Sequence, residues 1–213
     1  MARTIAVLAV QGAFIEHETK LRKLGAHVVE LRQASDLKQP FDGLILPGGE
    51  STTQAKLLHE LGMFSALKER IEKGMPTLAT CAGLILLARE VVEKNGVEPL
   101  NSACANKLQL VHGFSTLDVT VERNAYGRQL ASFHTEEQWA KNAHAIAEIP
   151  SDNMPLPLTF IRAPRITKMG AEAHTLIEHD GYPVAVLQGK QLALAFHPEL
   201  DADMRFHELF LSL

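Results

Sequence analysis

Residues 76–88 read Pro-Thr-Leu-Ala-Thr-Cys81-Ala-Gly83-Leu-Ile-Leu-Leu-Ala. A short apolar run ends at Thr80, a cysteine follows, then two small residues and a longer apolar run of helical character. Strand, sharp turn and helix with a nucleophile at the turn is the order of a nucleophile elbow. Such a turn lifts the side chain above the carboxyl ends of a parallel sheet, where open α/β sheets hold ligands. Backbone crowds a residue at that turn, and the flanks here are small: Ala79, Ala82 and Gly83. Taken alone, a single cysteine in an apolar run is more often an inert core residue. The rest of the chain has to decide between the two readings.

Outward from this stretch, strands and helices alternate. Thr4–Val10 is a continuous apolar run, as expected of a strand buried on both faces. Phe14–Leu24 reads as a helix ended by Gly25. His27–Leu31 and Gly43–Leu46 read as strands, the second closed by Pro47-Gly48-Gly49. Ser51 to Leu61 reads as a helix, with Ser51-Thr-Thr-Gln54 fitting a capping box. Met63–Lys73 is a further helix, Thr77–Thr80 the central strand, and Ala82–Val92 the helix after the elbow. This alternation predicts a single three-layer α/β domain over residues 1–213, with a central, mostly parallel sheet and helices on both faces. The C-terminal half reads mainly as strands, an antiparallel extension: Thr116–Glu122, Leu130–His134, Leu158–Arg162, Thr175–Glu178, Val184–Gln188 and Gln191–Phe196. Asp180-Gly181 and Gly189-Lys190 are turn signals that make the last three a meander. Asp203–Leu213 reads as a closing helix. Glu93–Val111 and Ser151–Pro157 read as loops, and Glu136–Glu148 as a helix with Trp139, Ala143 and Ile146 on one face.

Composition narrows the function. The chain has 213 residues, an apolar fraction of 46% and a net charge of −4, with no basic block to hold nucleic acid. Two cysteines, Cys81 and Cys104, make no disulfide framework and suit a reducing compartment. The N-terminal apolar run is short and reads as a first strand, and no run reaches the ~18 apolar residues of a membrane span. A cytoplasmic location is the default expectation. There is no phosphate loop, no dinucleotide fingerprint and no zinc spacing: His59-Glu60 and His207-Glu208 lack a second histidine at the right distance.

A thiol nucleophile needs a base. Among ten histidines, His197 ends the Gln191–Phe196 run and is followed by Pro198-Glu199. Pro198 biases His197 towards an extended conformation, in which residues i and i+2 share a face. Glu199 is then placed to hold one ring nitrogen and leave the other for the thiol. A strand-end turn with a solvated glutamate is the alternative for this tripeptide alone. Acyl transfer also needs N–H donors for the oxyanion. Gly48-Gly49-Glu50-Ser51 follows a strand and opens a helix, which frees backbone amides, and the amide of Ala82 lies directly after the nucleophile.

Together these motifs resemble the class I, triad-type glutamine amidotransferases, and most closely the PdxT/SNO family of glutaminase subunits of pyridoxal 5'-phosphate synthase. The matching pieces are Leu8-Ala-Val-Gln-Gly-Ala13 with Glu16-His17, Leu46-Pro-Gly-Gly-Glu-Ser-Thr-Thr53, Thr80-Cys-Ala-Gly-Leu-Ile-Leu-Leu87, Asp118-Val-Thr-Val-Glu-Arg-Asn124, Tyr126-Gly-Arg-Gln129 with Ser132-Phe133, Phe160-Ile-Arg-Ala-Pro164 and Phe196-His-Pro-Glu-Leu200. The resemblance implies Cys81 as nucleophile, His197 as base and Glu199 as its orienter. It implies that L-glutamine rests against Gly49, Glu50, Ser51, Arg123, Ile161 and Arg162, the arginine forks suiting its carboxylate. It places the Gln11-Gly12 peptide, with Gly48 and Ala82, at the oxyanion, in an arrangement that depends on a synthase partner. The implied partner is the pyridoxal 5'-phosphate synthase subunit, and no bound cofactor or metal is implied. Ala79 stands where the family has glycine and Tyr126 where it has phenylalanine, and the chain reads as longer than its relatives at 93–111 and 136–157. Two other readings stay open: a glutaminase feeding a different ammonia acceptor, and a silent binding partner with the same fold.

Overall fold

The structure, a computed structural model, describes residues 2–93, 113–123, 125, 132–150 and 154–213. Strand β1 (Thr4–Leu8) is fully buried beyond its first residue, which explains its unbroken apolar sequence. Helix α1 (Phe14–Lys23) carries the chain to β2 (His27–Leu31), which pairs parallel to β1. Strand β3 (Gly43–Leu46) lies parallel on the other side of β1. From there α2 (Ser51–Glu60) and α3 (Phe64–Glu72) lead to β4 (Thr77–Thr80), parallel to β3. The two crossovers step in opposite directions along the sheet. Right-handed crossovers are the rule for parallel strands, and two of them running in opposite directions put their helices on opposite faces. The strand order therefore reverses between β1 and β3, and the loops after those strands open at the switch point where α/β sheets bind ligands.

Helix α4 (Ala82–Leu87) follows β4 and is short. The chain then forms a second, three-stranded sheet of β5 (Ala88–Glu93), β6 (Leu117–Arg123) and β9 (Arg165–Met169), and a two-stranded ribbon of β7 (Ser132–Glu137) and β8 (Leu156–Ile161). Strands β10 (His174–His179), β11 (Tyr182–Gln188) and β12 (Gln191–Leu194) form the expected meander, and β12 joins β4 in parallel. The main sheet thus has seven strands in the order β10-β11-β12-β4-β3-β1-β2, mostly parallel with an antiparallel edge. Helix α5 (Arg205–Ser212) closes the chain. Its Phe206 meets Phe196 edge-on with centroids 5.1 Å apart and packs against Trp139 at 5.4 Å. This aromatic wedge packs α5 against the segment just before His197.

Several local expectations are corrected. The helix over Ala82–Val92 stops at Leu87, and Ala88–Glu93 is a strand paired in parallel with β6. An apolar run with Val91-Val92 suits either state, and the partner strand decides it. No helix spans Glu136–Glu148: β7 runs to Glu137 and only Ala143–Ala145 turns, as a 3-10 helix. Trp139 instead fills the gap beside Phe206. Residues Leu156 and Pro157, read as loop, begin β8, and Arg165–Met169 is a strand that the sequence reading did not mark. The cap of α2 is Glu50 rather than Ser51: its carboxylate accepts from the Thr52 and Thr53 amides at 3.3 and 2.7 Å. Residues 94–112, with Cys104, and residues 126–131, with Tyr126 and the start of the Leu130–His134 reading, lie outside the described residues.

Candidate active site

Cys81 sits between the end of β4 and the start of α4 with φ 47° and ψ −97°. A non-glycine residue at positive φ stores strain of about 1–3 kcal/mol, kept where surrounding contacts over-determine it. Here the Cys81 amide donates to Leu194 O at 2.8 Å, and its carbonyl accepts from Ile85 at 3.3 Å to begin the helix. The elbow points the side chain into the cleft, where the sulfur lies 3.8 Å from Ile161 O. Gly83 must be small because a Cβ there would strike the Leu46 carbonyl, so the helix after the elbow lies directly on β3.

His197 arrives from β12, the strand beside β4, and its amide donates to Thr159 O of β8 at 2.9 Å. Its Nδ1 is 2.7 Å from Glu199 Oε1, and the ring shares the cleft with Cys81, close enough for the two to act on each other electrostatically. With Nδ1 engaged, Nε2 is the nitrogen left free for the thiol. The pairing is made differently from the sequence expectation. Pro198–Leu200 is a 3-10 turn, not an extended segment, and the turn brings the Glu199 carboxylate back beneath the ring. Burial acts to lower the His197 pKa, but the hydrogen bonds and charges of Cys81 and Glu199 outweigh it and push it up to about 10. The imidazolium form is therefore held between two acidic partners.

The glycines make room for this ring. A Cβ on Gly48 would run into the His197 imidazole. Gly12, at φ 104°, faces the Gly48 carbonyl, which accepts from Ala13 N at 3.0 Å. The loops after β1 and β3 are thereby laced together at the switch point. Gln11 Oε1 accepts from Glu50 N at 2.8 Å, and buried Gln54 donates to Gln11 O and Pro47 O at 3.0 and 3.1 Å.

A cleft of about 260 Å³ opens over these groups. It is lined by Gln11, Gly12, Gly48, Gly49, Glu50, Ser51, Cys81, Arg123, Ile161, Arg162 and His197, together with Ala13 and Ile85. The structure thus gathers nearly all of the residues named from sequence. Glu199 is buried behind His197, and Ala82 is the first residue of α4, where an N–H has no acceptor within its helix. Arg123 spans Glu50 at 3.1 Å and Glu93 at 3.3 Å. Burial would raise the Glu50 pKa, but hydrogen bonds from Thr53 and Thr52 and the Arg123 charge hold it below its ordinary value. Arg162 stands at φ 46° on the exposed rim, just past β8. One expected oxyanion donor is engaged: the Gly48 amide donates to Thr80 Oγ1 at 2.9 Å. Thr80 and Gln54 were not marked as site residues from the sequence. For Thr80 the one signal is a hydroxyl at the end of a buried strand; Gln54, between exposed Thr53 and Lys56, gives none.

A cysteine at a strand-to-helix elbow, an imidazole from the next parallel strand and a carboxylate behind it define the class: an α/β protein with a cysteine-centred triad over the carboxyl edge of its sheet. The profile of the SNO glutamine amidotransferase family matches residues 7–213. Proteins called pyridoxal 5'-phosphate synthase subunit PdxT are similar along nearly the whole chain. That of Desulfitobacterium hafniense (strain DSM 10664 / DCB-2) is 49% identical, covering 98% of this chain and 92% of the relative. That of Bifidobacterium longum (strain NCC 2705) is 46% identical, covering 97% and 98%. A crystal structure of a glutamine amidotransferase superposes with a TM-score of 0.79 at 36% identity, covering 98% and 97% of the two chains. The chain belongs to the SNO glutamine amidotransferase family.

Proposed function

We propose that this chain, as one domain over residues 1–213, hydrolyses L-glutamine to L-glutamate and ammonia. The ammonia passes to a pyridoxal 5'-phosphate synthase subunit bound to it, in the cytoplasm. The observation that carries the chemistry is the placement of His197 between Cys81 and Glu199, with its charged form favoured. The synthase partner is supported by the name shared by the PdxT relatives.

Cys81 Sγ attacks the side-chain amide carbon while His197 holds the thiol proton. The C–N bond breaks, and that proton leaves with ammonia. A thioester remains on Cys81, and water, deprotonated by His197, releases glutamate and regenerates the thiol. The tetrahedral oxyanion needs N–H donors, and the Ala82 and Gly49 amides are the candidates, with the Gln11-Gly12 peptide. Glu50, Ser51, Arg123, Ile161 and Arg162 form the wall against which the glutamine backbone would bind, Arg123 matching its carboxylate.

In this conformation Gln54 holds the Gln11 carbonyl and Thr80 holds the Gly48 amide, which supports low turnover by the chain alone. The test is ammonia release from glutamine with and without the synthase subunit. Wild type should be slow alone and accelerate with the partner, and Cys81→Ala should release none. Ammonia release by Cys81→Ala at the wild-type rate would overturn the mechanism. Full-rate hydrolysis by the isolated chain would overturn the partner dependence.

A further inference from the structure

Beneath the triad lies a pair of imidazoles to which the mechanism above gives no part. His17 of α1 and His207 of α5 are both 0% exposed. His17 Nδ1 lies 3.0 Å from His207 Nε2, and His17 Nε2 lies 3.2 Å from Thr80 Oγ1. The same Nε2 is 3.4 Å from Glu199 Oε2. That oxygen is buried and otherwise has no hydrogen-bond partner among the described residues, although its twin holds His197.

These contacts fix the tautomers. A bare lone pair on His17 Nε2 would face a carboxylate oxygen, whereas an N–H there is attracted to it. With the proton on Nε2, His17 Nδ1 must accept, so His207 Nε2 donates. His207 Nδ1 is then left as an unprotonated acceptor, and it is the ring nitrogen without a partner. An orphaned acceptor is the cheaper of the two to bury. Burial foremost, then the charges of His207, His197 and Lys20, keep His17 neutral, and burial and Lys20 do the same for His207. Lys20 is tied to Asp203 O at 2.5 Å.

We infer that His17 is a positioning residue for glutamine hydrolysis: its Nε2–H, shared between Glu199 Oε2 and Thr80 Oγ1, holds the carboxylate that orients His197 and the hydroxyl that holds the Gly48 amide. One imidazole thus links three parts of the site. Thr80 directly precedes Cys81, Gly48 lies against the His197 ring, and α1 begins just after the Gln11-Gly12 turn. A buried carboxylate oxygen with no donor is expensive, and a carboxylate free to turn would lose its grip on Nδ1.

This inference rests on the proposed glutaminase reading, and the experiment separates the two. Ammonia release is measured for the full chain in complex with the synthase subunit, with melting temperature recorded for each variant. Wild type must be active and Cys81→Ala inactive, which tests the reading itself. His17→Leu should lose about 10- to 100-fold in kcat, the range of one hydrogen bond to a charged group, with KM within about threefold. His17→Gln, whose amide N–H reaches the place of Nε2, should keep kcat within about threefold of wild type. A folded His17→Leu with wild-type kcat overturns the inference, as does an equal loss in both variants, which would mark a packing role. Should His17→Leu not fold, His17→Asn replaces it, since its shorter amide reaches the place of Nδ1 but not that of Nε2. Equal activity of the Asn and Gln variants would then be the overturning result.

Discussion

Replacing Glu199 with glutamine keeps the shape of the site and removes one charge. Against its ordinary 6.5, a His197 pKa of about 10 favours the imidazolium by about 5 kcal/mol at 1.36 kcal/mol per pH unit. That is the net of two acidic neighbours against burial. With Glu199→Gln one attraction is gone and the desolvation stays, so at least about 2 kcal/mol is lost from the form of His197 that must deliver a proton to ammonia. The ring also loses the charged acceptor that orients it, worth about 1.5–3 kcal/mol, or roughly 10- to 150-fold in kcat. Because the pKa is raised in the fold, the imidazolium persists at neutral pH and is lost as pH rises through about 10. The alkaline limb of kcat/KM should therefore lie near that value in wild type and move down by about 1.5 pH units or more in the variant. The stability contribution has the same sign: complete below about 6.5, lost as pH rises through about 10, and weaker in the variant. The assay is ammonia release by the complex with the synthase subunit from pH 5 upward, with melting temperatures alongside. A variant with an unmoved alkaline limb and kcat within about threefold of wild type would refute the reasoning.

Three further outcomes follow from the geometry. Gly48→Ala puts a Cβ into the His197 ring and should lower kcat about 100-fold or more, with a melting temperature near wild type; wild-type kcat would mean that the ring has room to move. Arg123→Ala removes the cation beside Glu50 and should raise KM for glutamine about tenfold with a smaller change in kcat, as read from saturation curves. Acid should destabilise the fold through His207: held neutral with its pKa lowered to about 3, it contributes stability that is present above about 6.5 and lost as pH falls towards about 3, about 2 kcal/mol of it by pH 5. Urea titrations should show that slope, and His207→Leu should make it shallower, the remainder coming from buried His17.

The core of the fold is legible in local pattern. Short runs of buried residues, mostly apolar and each closed by a turn and a helix, state a parallel sheet, because strands covered on both faces lose the polar alternation of a half-exposed strand. Cys81 with its small neighbours states the elbow, and the Pro198 turn keeps His197 and Glu199 within one short segment. What the chain does not state locally depends on neighbours. Ala88–Glu93 becomes strand because β6 offers a partner, and Trp139 leaves a helical spacing to pack on Phe206. Cys81 and His197 share one cleft because β12 docks in parallel beside β4, although the two lie far apart along the chain. His17, Thr80 and Glu199 come from three separate elements, so no spacing could announce their meeting. Sequence settled which residues carry reactive groups and which segments are buried, since both follow from side-chain chemistry and period. Tertiary structure alone decided which of those groups share a boundary, since that follows from strand order and from how closely glycines let backbones and rings approach.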